Sequence, residues 1–164
     1  MSEDFMPEGY EVPSSSNYLK LQPGDNKFRI VSKPIIGWLD WDEKKPLRFH
    51  MQNKPQASID PAKPIKHFWA MSVWDYKSNK VSILEITQKT IQTAIEGLAR
   101  NTDWGTPLNY DLTVTKTGSG MDTEYSVIPI PPKPLPEEIQ TVILGTQVNL
   151  EALFEGKDPF ATPF

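Results

Sequence analysis

The chain contains no cysteine and only two histidines among its 164 residues. The lack of thiols excludes disulfide bonds and thiolate metal sites, and two imidazoles alone do not complete a zinc site. No apolar run approaches the length of a membrane span, and no signal-peptide pattern precedes the first acidic residues. We therefore expect no metal, no other cofactor and no membrane contact, and a cytoplasmic location.

Proline, in contrast, is abundant. The sixteen prolines argue against several long helices, and 38% hydrophobic with 23% charged residues is typical of a globular protein rich in loops. The length suits one well-packed domain with appendages and is too short for two full domains.

The net charge of −4 is unevenly distributed along the chain. Residues 1–17 carry four acidic side chains and no basic one, and residues 136–164 carry five acidic against one basic. Residues 18–135 hold 16 basic and 12 acidic side chains, a net charge of +4. A cationic body between anionic ends suits a protein that binds a polyanion. On its own, the same pattern also occurs by accident of composition.

The most informative stretch, residues 66–100, predicts a β-hairpin followed by an amphipathic helix. Residues 66–76 and 81–86 are rich in aromatic and β-branched side chains and contain neither Pro nor Gly. Between them, Asn79 suits a left-handed turn position. Thr87 is a candidate N-cap. One helix face is then apolar at Ile91, Ala94, Ile95 and Leu98.

The register of this hairpin predicts which side chains are exposed. A tip at residues 78–79 pairs Tyr76 with Val81 and Trp74 with Ile83. Because side chains alternate across a strand, one face is aliphatic and suits a core, with Met71, Val73, Leu84 and Ile86. The opposite face carries a row of aromatic rings that can stack on unpaired bases, namely Phe68, Trp74 and Tyr76. The alternative is that both faces are buried and these rings are ordinary core packing.

Three further strands complete a predicted fold. The segment at residues 27–41 is typical of one long strand bent at a glycine, with Pro34 and Gly37 inside it. Residues 110–115 and 125–129 predict a second hairpin around a glycine-rich turn. The resulting order is that of a mainly β, five-stranded OB-fold Greek-key barrel with one internal helix.

Residues 42–65 form a long, proline-containing loop insertion with an excess of basic side chains and one short predicted strand at residues 47–51. Loops of this length inside a compact domain are usually functional or disordered. A basic flap over a nucleic-acid strand and a mobile insertion therefore both remain open. In an OB-fold, strands 2–3 and loops 1–2 and 4–5 contact the ligand. Here those parts are the aromatic hairpin, this insertion and the turn at residues 116–122.

The end of the chain predicts a Pro-rich linker and a short helical C-terminal tail. The five prolines of residues 129–136 favour an extended polyproline conformation. Helices are predicted after Pro136 and at residues 150–154, with Gly156 as a stop. We divide the chain into a flexible acidic segment at 1–17, the OB-fold domain at 18–130, and the linker with its acidic tail at 131–164.

Five segments resemble the single-stranded-DNA-binding proteins of tailed bacteriophages. They lie at residues 21–30 (LQPGDNKFRI), 37–41 (GWLDW), 68–91, 110–135 and 150–160, and the third is the most specific. Such proteins are OB-folds that coat unpaired DNA in replication, recombination and repair, and the resemblance implies this role here, in the host cytoplasm. The chain lacks the zinc ligands of some phage homologues. Its Pro163-Phe164 end is similar to the tip with which many such proteins recruit partner enzymes.

We therefore predict a non-enzymatic protein that binds and protects single-stranded DNA without sequence specificity. It is expected to recruit replication or recombination proteins through its tail. The predicted DNA-binding residues are Lys27, Arg29, Trp38, Lys44, Lys45, Arg48, Lys66, Phe68, Trp74, Tyr76, Lys77, Lys80 and Lys116, and the predicted partner-binding residues are Pro163 and Phe164. Two alternatives remain. One is a phage structural or protein-interaction barrel without nucleic-acid binding. The other, less favoured, is a metal-dependent nuclease built on Asp75, Lys77 and Glu85.

Overall fold

The computed structural model describes residues 17–160, which form one seven-stranded sheet with two α-helices and several short 3-10 helices. The strands are β1 (Gly24–Ile30), β2 (Ile35–Asp42), β3 (Lys45–His50), β4 (Lys66–Asp75), β5 (Lys80–Ile86), β6 (Asp111–Thr117) and β7 (Glu124–Pro129). The α-helices are α1 (Lys89–Arg100) and α2 (Glu137–Gly145), and the 3-10 helix Leu150–Glu155 follows α2. Within the described residues, no helix is both long enough and apolar enough to cross a membrane.

The sheet is antiparallel and is organised around β4. Its order is β3-β2-β4-β1-β6-β7, and β5 pairs with the other edge of β4. The mainly β prediction is confirmed, but the sheet has seven strands where five were predicted. The predicted long first strand is split at residues 31–34 into β1 and β2, because Pro34 has no N–H to donate. The short strand predicted in the insertion is β3, which adds the second extra strand.

The predicted register of the β4–β5 hairpin is wrong by two residues. Asp75 pairs with Lys80, so Trp74 faces Val81 and the turn contains four residues. The Asp75 carboxylate holds this wider turn by accepting hydrogen bonds from the Lys77 N–H at 3.0 Å and the Ser78 Oγ at 2.8 Å. Asn79 has the expected left-handed conformation, with φ of 55°. Because the error is an even number of residues, every side chain stays on its predicted face.

The predicted aliphatic face is the main core. Met71, Val73, Leu84 and Ile86 are buried against α1 and strands β1 and β6, together with Phe28, Ile91, Ile95, Tyr110, Leu112 and Val114. Ile91 and Ile95 belong to the predicted apolar face of the helix, which is confirmed. The helix begins at Lys89 with Gln88 as its N-cap, one residue later than the Thr87 cap predicts, and without a side-chain capping bond.

The opposite face of β4 and β5 is also covered. Residues 148–160, here called the C-terminal cover, place the buried Leu153 on it beside Phe68, Ala70 and Ile83. Tyr18 packs on the same face, and the Leu19 N–H donates to the Ile83 carbonyl at 2.8 Å. Both ends of the described chain therefore bury the face that was predicted to be exposed.

The predicted linker is hydrogen-bonded to the sheet. The Ile130 N–H donates to the Asp111 carbonyl at 3.0 Å, and the Lys133 N–H donates to the Asn109 carbonyl at 3.3 Å. Arg29 Nη2 donates to the Lys133 carbonyl at 2.9 Å. These bonds hold residues 130–133 along the sheet, and α2 then packs beside β5.

Candidate nucleic-acid interface

An open groove of roughly 890 Å³ lies between the β4–β5 turn and the chain before β1. We call it the hairpin groove. It is lined by Tyr18, Lys20, Lys27, Tyr76, Lys77 and Lys80, with Asp25 and Asp75 as its acidic residues. The Asp75 carboxylate accepts hydrogen bonds from Lys77 and Ser78 within the turn. Asp25 accepts a hydrogen bond from Thr115 Oγ1 at 2.7 Å. Four lysines thus face the groove, and both carboxylates already have hydrogen-bond partners within the protein.

Tyr76 is the one ring of the predicted aromatic row that stays half-buried at the surface. Its hydroxyl donates to Asp111 Oδ1 at 2.8 Å, and the Lys27 Nζ lies 4.7 Å from its ring centroid. Burial and the hydrogen bond to Asp111 raise the pKa of Tyr76 to about 12. The ring is therefore neutral, fixed in orientation and paired with a cation, which suits contact with a base and its phosphate.

Arg29 does not face the groove, which corrects its predicted role as a phosphate contact. Its side chain is buried, and its Nε donates to Asp111 Oδ1 at 2.8 Å. Its other donors reach the carbonyls of Leu108 and Lys133. Since all of these partners are protein atoms and the side chain is buried, Arg29 fastens the linker to the sheet and is not accessible to DNA in this conformation.

Phe68 and Trp74 are likewise buried, at 0% and 3% exposure. The Phe68 ring centroid lies 5.9 Å from that of Phe154 in the C-terminal cover. The predicted exposed row of three rings is therefore wrong for the described conformation, and the alternative of burial on both faces holds for these two rings. Alternation along a strand shows which side chains share a face, but not whether a distant segment covers it.

Arg48 forms a bidentate ion pair with Glu85. Its Nε lies 2.7 Å from Oε2, and its Nη2 lies 3.2 Å from Oε1. Burial acts to lower the pKa of the Arg48 guanidinium, but the hydrogen bond and attraction of Glu85 outweigh it and raise that pKa. Burial also raises the pKa of the neighbouring Tyr18. Arg48 thus ties β3 to β5 and, contrary to the prediction, offers DNA little of its side chain.

A second basic cavity, of roughly 460 Å³, lies at the other end of β4. We call it the insertion cavity. Lys44 and Lys66, both predicted site residues, meet Lys63 and the ring of Trp41 there. The insertion cavity and the hairpin groove flank the two ends of β4, a strand of ten residues. At about 3.3 Å per residue, they are roughly 30 Å apart.

The remaining predicted residues are dispersed. Trp38 is half-buried outside the insertion cavity; its Nε1 donates to the Met51 carbonyl, and the Lys54 Nζ lies 4.3 Å from its ring centroid. Lys45 lines a separate cavity with Arg48 and Lys157. Lys116 pairs with Gly24 at the start of β1. Pro163, Phe164 and residues 1–16 lie outside the described residues.

Several lining residues were not among the predicted sites, including Tyr18, Lys20, Trp41 and Lys63. A signal for the first two exists in the sequence, since a Tyr-x-Lys pair stands just before the Pro23-Gly24 turn. Trp41 ends the GWLDW segment that contributes to the family resemblance. No local pattern predicts that Trp41 and Lys63 line one cavity, because residues 42–62 separate them.

The residues of the nuclease alternative are not assembled into a metal site. Glu85 pairs with Arg48 on the covered face, whereas Asp75 points to the opposite face and is bound by the turn. Among residues 17–160, no group of three or more Asp, Glu or His side chains is placed to hold a metal ion. The arrangement that such a nuclease needs is therefore absent from the described part of the chain.

An Escherichia phage T5 protein named "Probable ssDNA-binding protein" is 34% identical to this chain over 139 residues, covering 67% of this chain and 53% of that protein. This chain therefore spans about half the length of the curated relative. No protein-family model matches the chain. No solved structure matches it either. The predicted resemblance to phage single-stranded-DNA-binding proteins is nevertheless confirmed by this relative, and the chain is a homologue of a phage protein named as a probable single-stranded-DNA-binding protein.

Proposed function

We propose that this chain binds single-stranded DNA without sequence specificity and coats it during phage replication, recombination and repair. The observation that carries the proposal is the hairpin groove, which is lined by four lysines and by the ring of Tyr76, with Lys27 paired to that ring. Lysines supply contacts to a phosphate backbone, and an aromatic ring supplies sequence-tolerant stacking. The name of the phage T5 relative supports the same ligand.

We further propose that the sheet is an OB-fold in which β1 and β2 together form the long first strand. Three features support it: both pieces pair with β4, β1 also pairs with β6, and α1 lies between β5 and β6. A strand of DNA that reaches both the hairpin groove and the insertion cavity spans the roughly 30 Å between the two ends of β4. This length is compatible with the roughly 4–16 nucleotides that one OB-fold binds.

The test is a titration of fluorescently labelled oligo-dT, read by anisotropy at several salt concentrations. Lysine contacts with single-stranded DNA predict an affinity that falls with salt by a slope of about 0.7 per phosphate, and a preference over duplex DNA. Lys27→Gln should weaken binding and reduce the slope by about that amount. The matched control is Lys89→Gln, an exposed lysine on α1 away from the groove.

Lack of binding even at low salt would contradict the proposal and favour the protein-interaction barrel. Equal effects of the Lys27 and Lys89 variants would show that net charge, rather than the hairpin groove, attracts DNA.

Recruitment of replication or recombination proteins through Pro163 and Phe164 is a separate part of the proposal. It is tested by capture of such proteins from infected cells with the full chain and with a chain that ends at residue 162.

A further inference from the structure

Phe154 of the C-terminal cover is stacked on His50 in the manner of a nucleobase. The two ring centroids lie 3.8 Å apart with an interplanar angle of 17°. The Phe68 ring stands beside Phe154 with a tilt of 54°. A flat ring between a parallel imidazole and a tilted phenyl ring is the arrangement that aromatic side chains offer to an unpaired base.

The slot that holds this ring is made possible by Gly37. A Cβ at this position would collide with the Phe49 carbonyl oxygen and would lie 3.0 Å from the Phe68 ring and 3.1 Å from the Phe154 ring. Gly37 pairs with His50 on one side and Phe68 on the other. The three residues therefore meet side by side on β2, β3 and β4 and form one recess for a planar group.

The C-terminal cover is held over this slot by apolar packing and an exposed polar contact. Leu153 is the cover's buried apolar anchor, and the Asn149 N–H donates to the Pro159 carbonyl at 2.8 Å within the cover. The polar contact joins His50 Nε2 to Glu151 Oε2 at 3.4 Å, and the two side chains are 47% and 67% exposed. Exposed pairs of this kind contribute little stability, so apolar contact is the main hold on the cover.

A cavity of roughly 450 Å³ beside Leu153 is lined by Lys45, Lys157 and Asp158, and by Arg48, which is paired with Glu85. Phe68 stands two residues after Lys66, which lines the insertion cavity, on the same strand β4. A DNA strand that runs from the insertion cavity toward the hairpin groove therefore passes over the slot.

We propose that Gly37, His50 and Phe68 form a binding slot for one unpaired nucleobase, which Phe154 fills in the described structure and vacates when a DNA strand follows β4. The inference rests on the proposed function and adds a base-binding position that includes His50, which was not among the predicted DNA-binding residues. Phe154 occupies the slot in the protein without DNA. The apparent affinity for DNA is therefore the intrinsic affinity multiplied by the fraction of molecules in which the cover is open.

The test compares oligo-dT affinities of the full chain, Phe154→Ala and Phe160→Ala. Phe160 belongs to the same cover and packs on the same apolar cluster. Phe160→Ala is therefore the matched control for a general loosening of the cover that leaves Phe154 in the slot. Phe154→Ala should bind oligo-dT roughly fivefold or more tightly, because the slot is empty and one stacking position becomes available. Phe160→Ala should give no such gain. Adding His50→Ala to Phe154→Ala should cancel most of the gain.

Equal affinities of Phe154→Ala and Phe160→Ala, or a gain that persists without His50, would overturn the slot. Hydrogen exchange on the wild-type chain tests it without a variant. The amides of residues 150–156 should lose protection when oligo-dT is saturating, while those of β6 keep theirs. Unchanged protection of residues 150–156 with normal DNA binding would contradict the slot proposal and leave the proposed function standing. Failure of every form to bind DNA overturns the proposed function, and the slot with it.

Discussion

At the scale of single residues, position along β1 decides what each cation does. Lys27 and Arg29 share the outer face of the strand, because they alternate with the fully buried Phe28. Arg29 lies under the linker and is 2% exposed, whereas the Lys27 side chain is 42% exposed. Both approach the buried carboxylate of Asp111, Arg29 at 2.8 Å and Lys27 at 3.9 Å. Two similar charges on one strand thus serve the fold and the candidate site respectively.

The first prediction concerns Tyr76, whose pKa burial and Asp111 raise to about 12. An unfolded tyrosine ionises near pH 10. Below that pH the hydroxyl is neutral in both states, so it adds no pH dependence. Between about pH 10 and 12 only the unfolded chain loses the proton, so stability falls as pH rises. Melting temperatures across this range should fall more steeply for the wild type than for Tyr76→Phe.

Burial also raises the pKa of Tyr18 and Tyr110, so part of the alkaline loss should remain in the variant. A neutral-pH comparison of the two proteins gives the constant cost of losing the hydrogen bond to Asp111. Parallel curves from pH 7 to pH 12 would mean that the folded protein does not hold the Tyr76 proton.

At the scale of elements, the β2–β3 hairpin and the residues after it turn the insertion into part of the sheet. β3 pairs with β2 across a tight turn at Glu43 and Lys44, where Glu43 has φ of 57°. Ion pairing of Arg48 with Glu85 then fixes β3 against β5. The rest of the insertion returns to Lys66 and brings Lys63 beside Trp41. The insertion is therefore ordered and lines one side of the insertion cavity. Its basic residues are divided, because Lys44 and Lys63 line that cavity whereas Arg48 pairs with Glu85.

The second prediction is that changing Lys44, Lys63 and Lys66 together to Gln weakens oligo-dT binding. If all three contact phosphates, the salt slope should decrease by about 2, at about 0.7 per contact. A charge-matched control changes Lys89, Arg100 and Lys133, which are exposed outside both cavities. Identical salt slopes for the two triple variants would mean that DNA does not contact the lysines of the insertion cavity.

The sequence predicts elements well where the determining contacts are local. The hairpin faces, the helix face of Ile91 and Ile95, the left-handed Asn79 and the Gly156 stop all follow from neighbouring residues. The register error arose because the Asp75 side chain stabilises a longer turn than the tip residues suggest. Local sequence patterns do not predict the burial of Arg29 and Phe68, because the residues that cover them lie about 86 to 104 positions away in the chain.

At the scale of the whole molecule, both ends of the described chain converge on one sheet face. Residues 17–19 run beside β5, residues 130–133 bind Arg29, and the C-terminal cover packs on Phe68 and Ile83. The acidic tail identified from the charge distribution is thus partly a packed layer of the fold. Its negative charges remain at the surface close to a basic body, where they can still compete with DNA at low salt.

The third prediction separates these two roles of the tail. Deleting residues 148–164 should lower the melting temperature, because it exposes Phe68 and Ile83 and removes the burial of Leu153. Burying a leucine side chain alone contributes about 1.5–3 kcal/mol. The matched control is deletion of residues 161–164, which leaves Leu153 and the rest of the cover in place. An unchanged melting temperature after the longer deletion would mean that the cover adds no stability and acts only on the ligand.

The pairing of Arg29 with Asp111 also dictates an order of events during folding. The two residues are 82 positions apart, whereas the β4–β5 hairpin closes over a four-residue turn. A hairpin forms in about 1–10 μs, and sheets dominated by distant pairings take milliseconds to seconds. Until β1 meets β6, Arg29 and Asp111 remain hydrated ions, and burying either without the other is costly. We therefore expect sheet closure around this pair, and not hairpin formation, to limit the rate at which the chain folds.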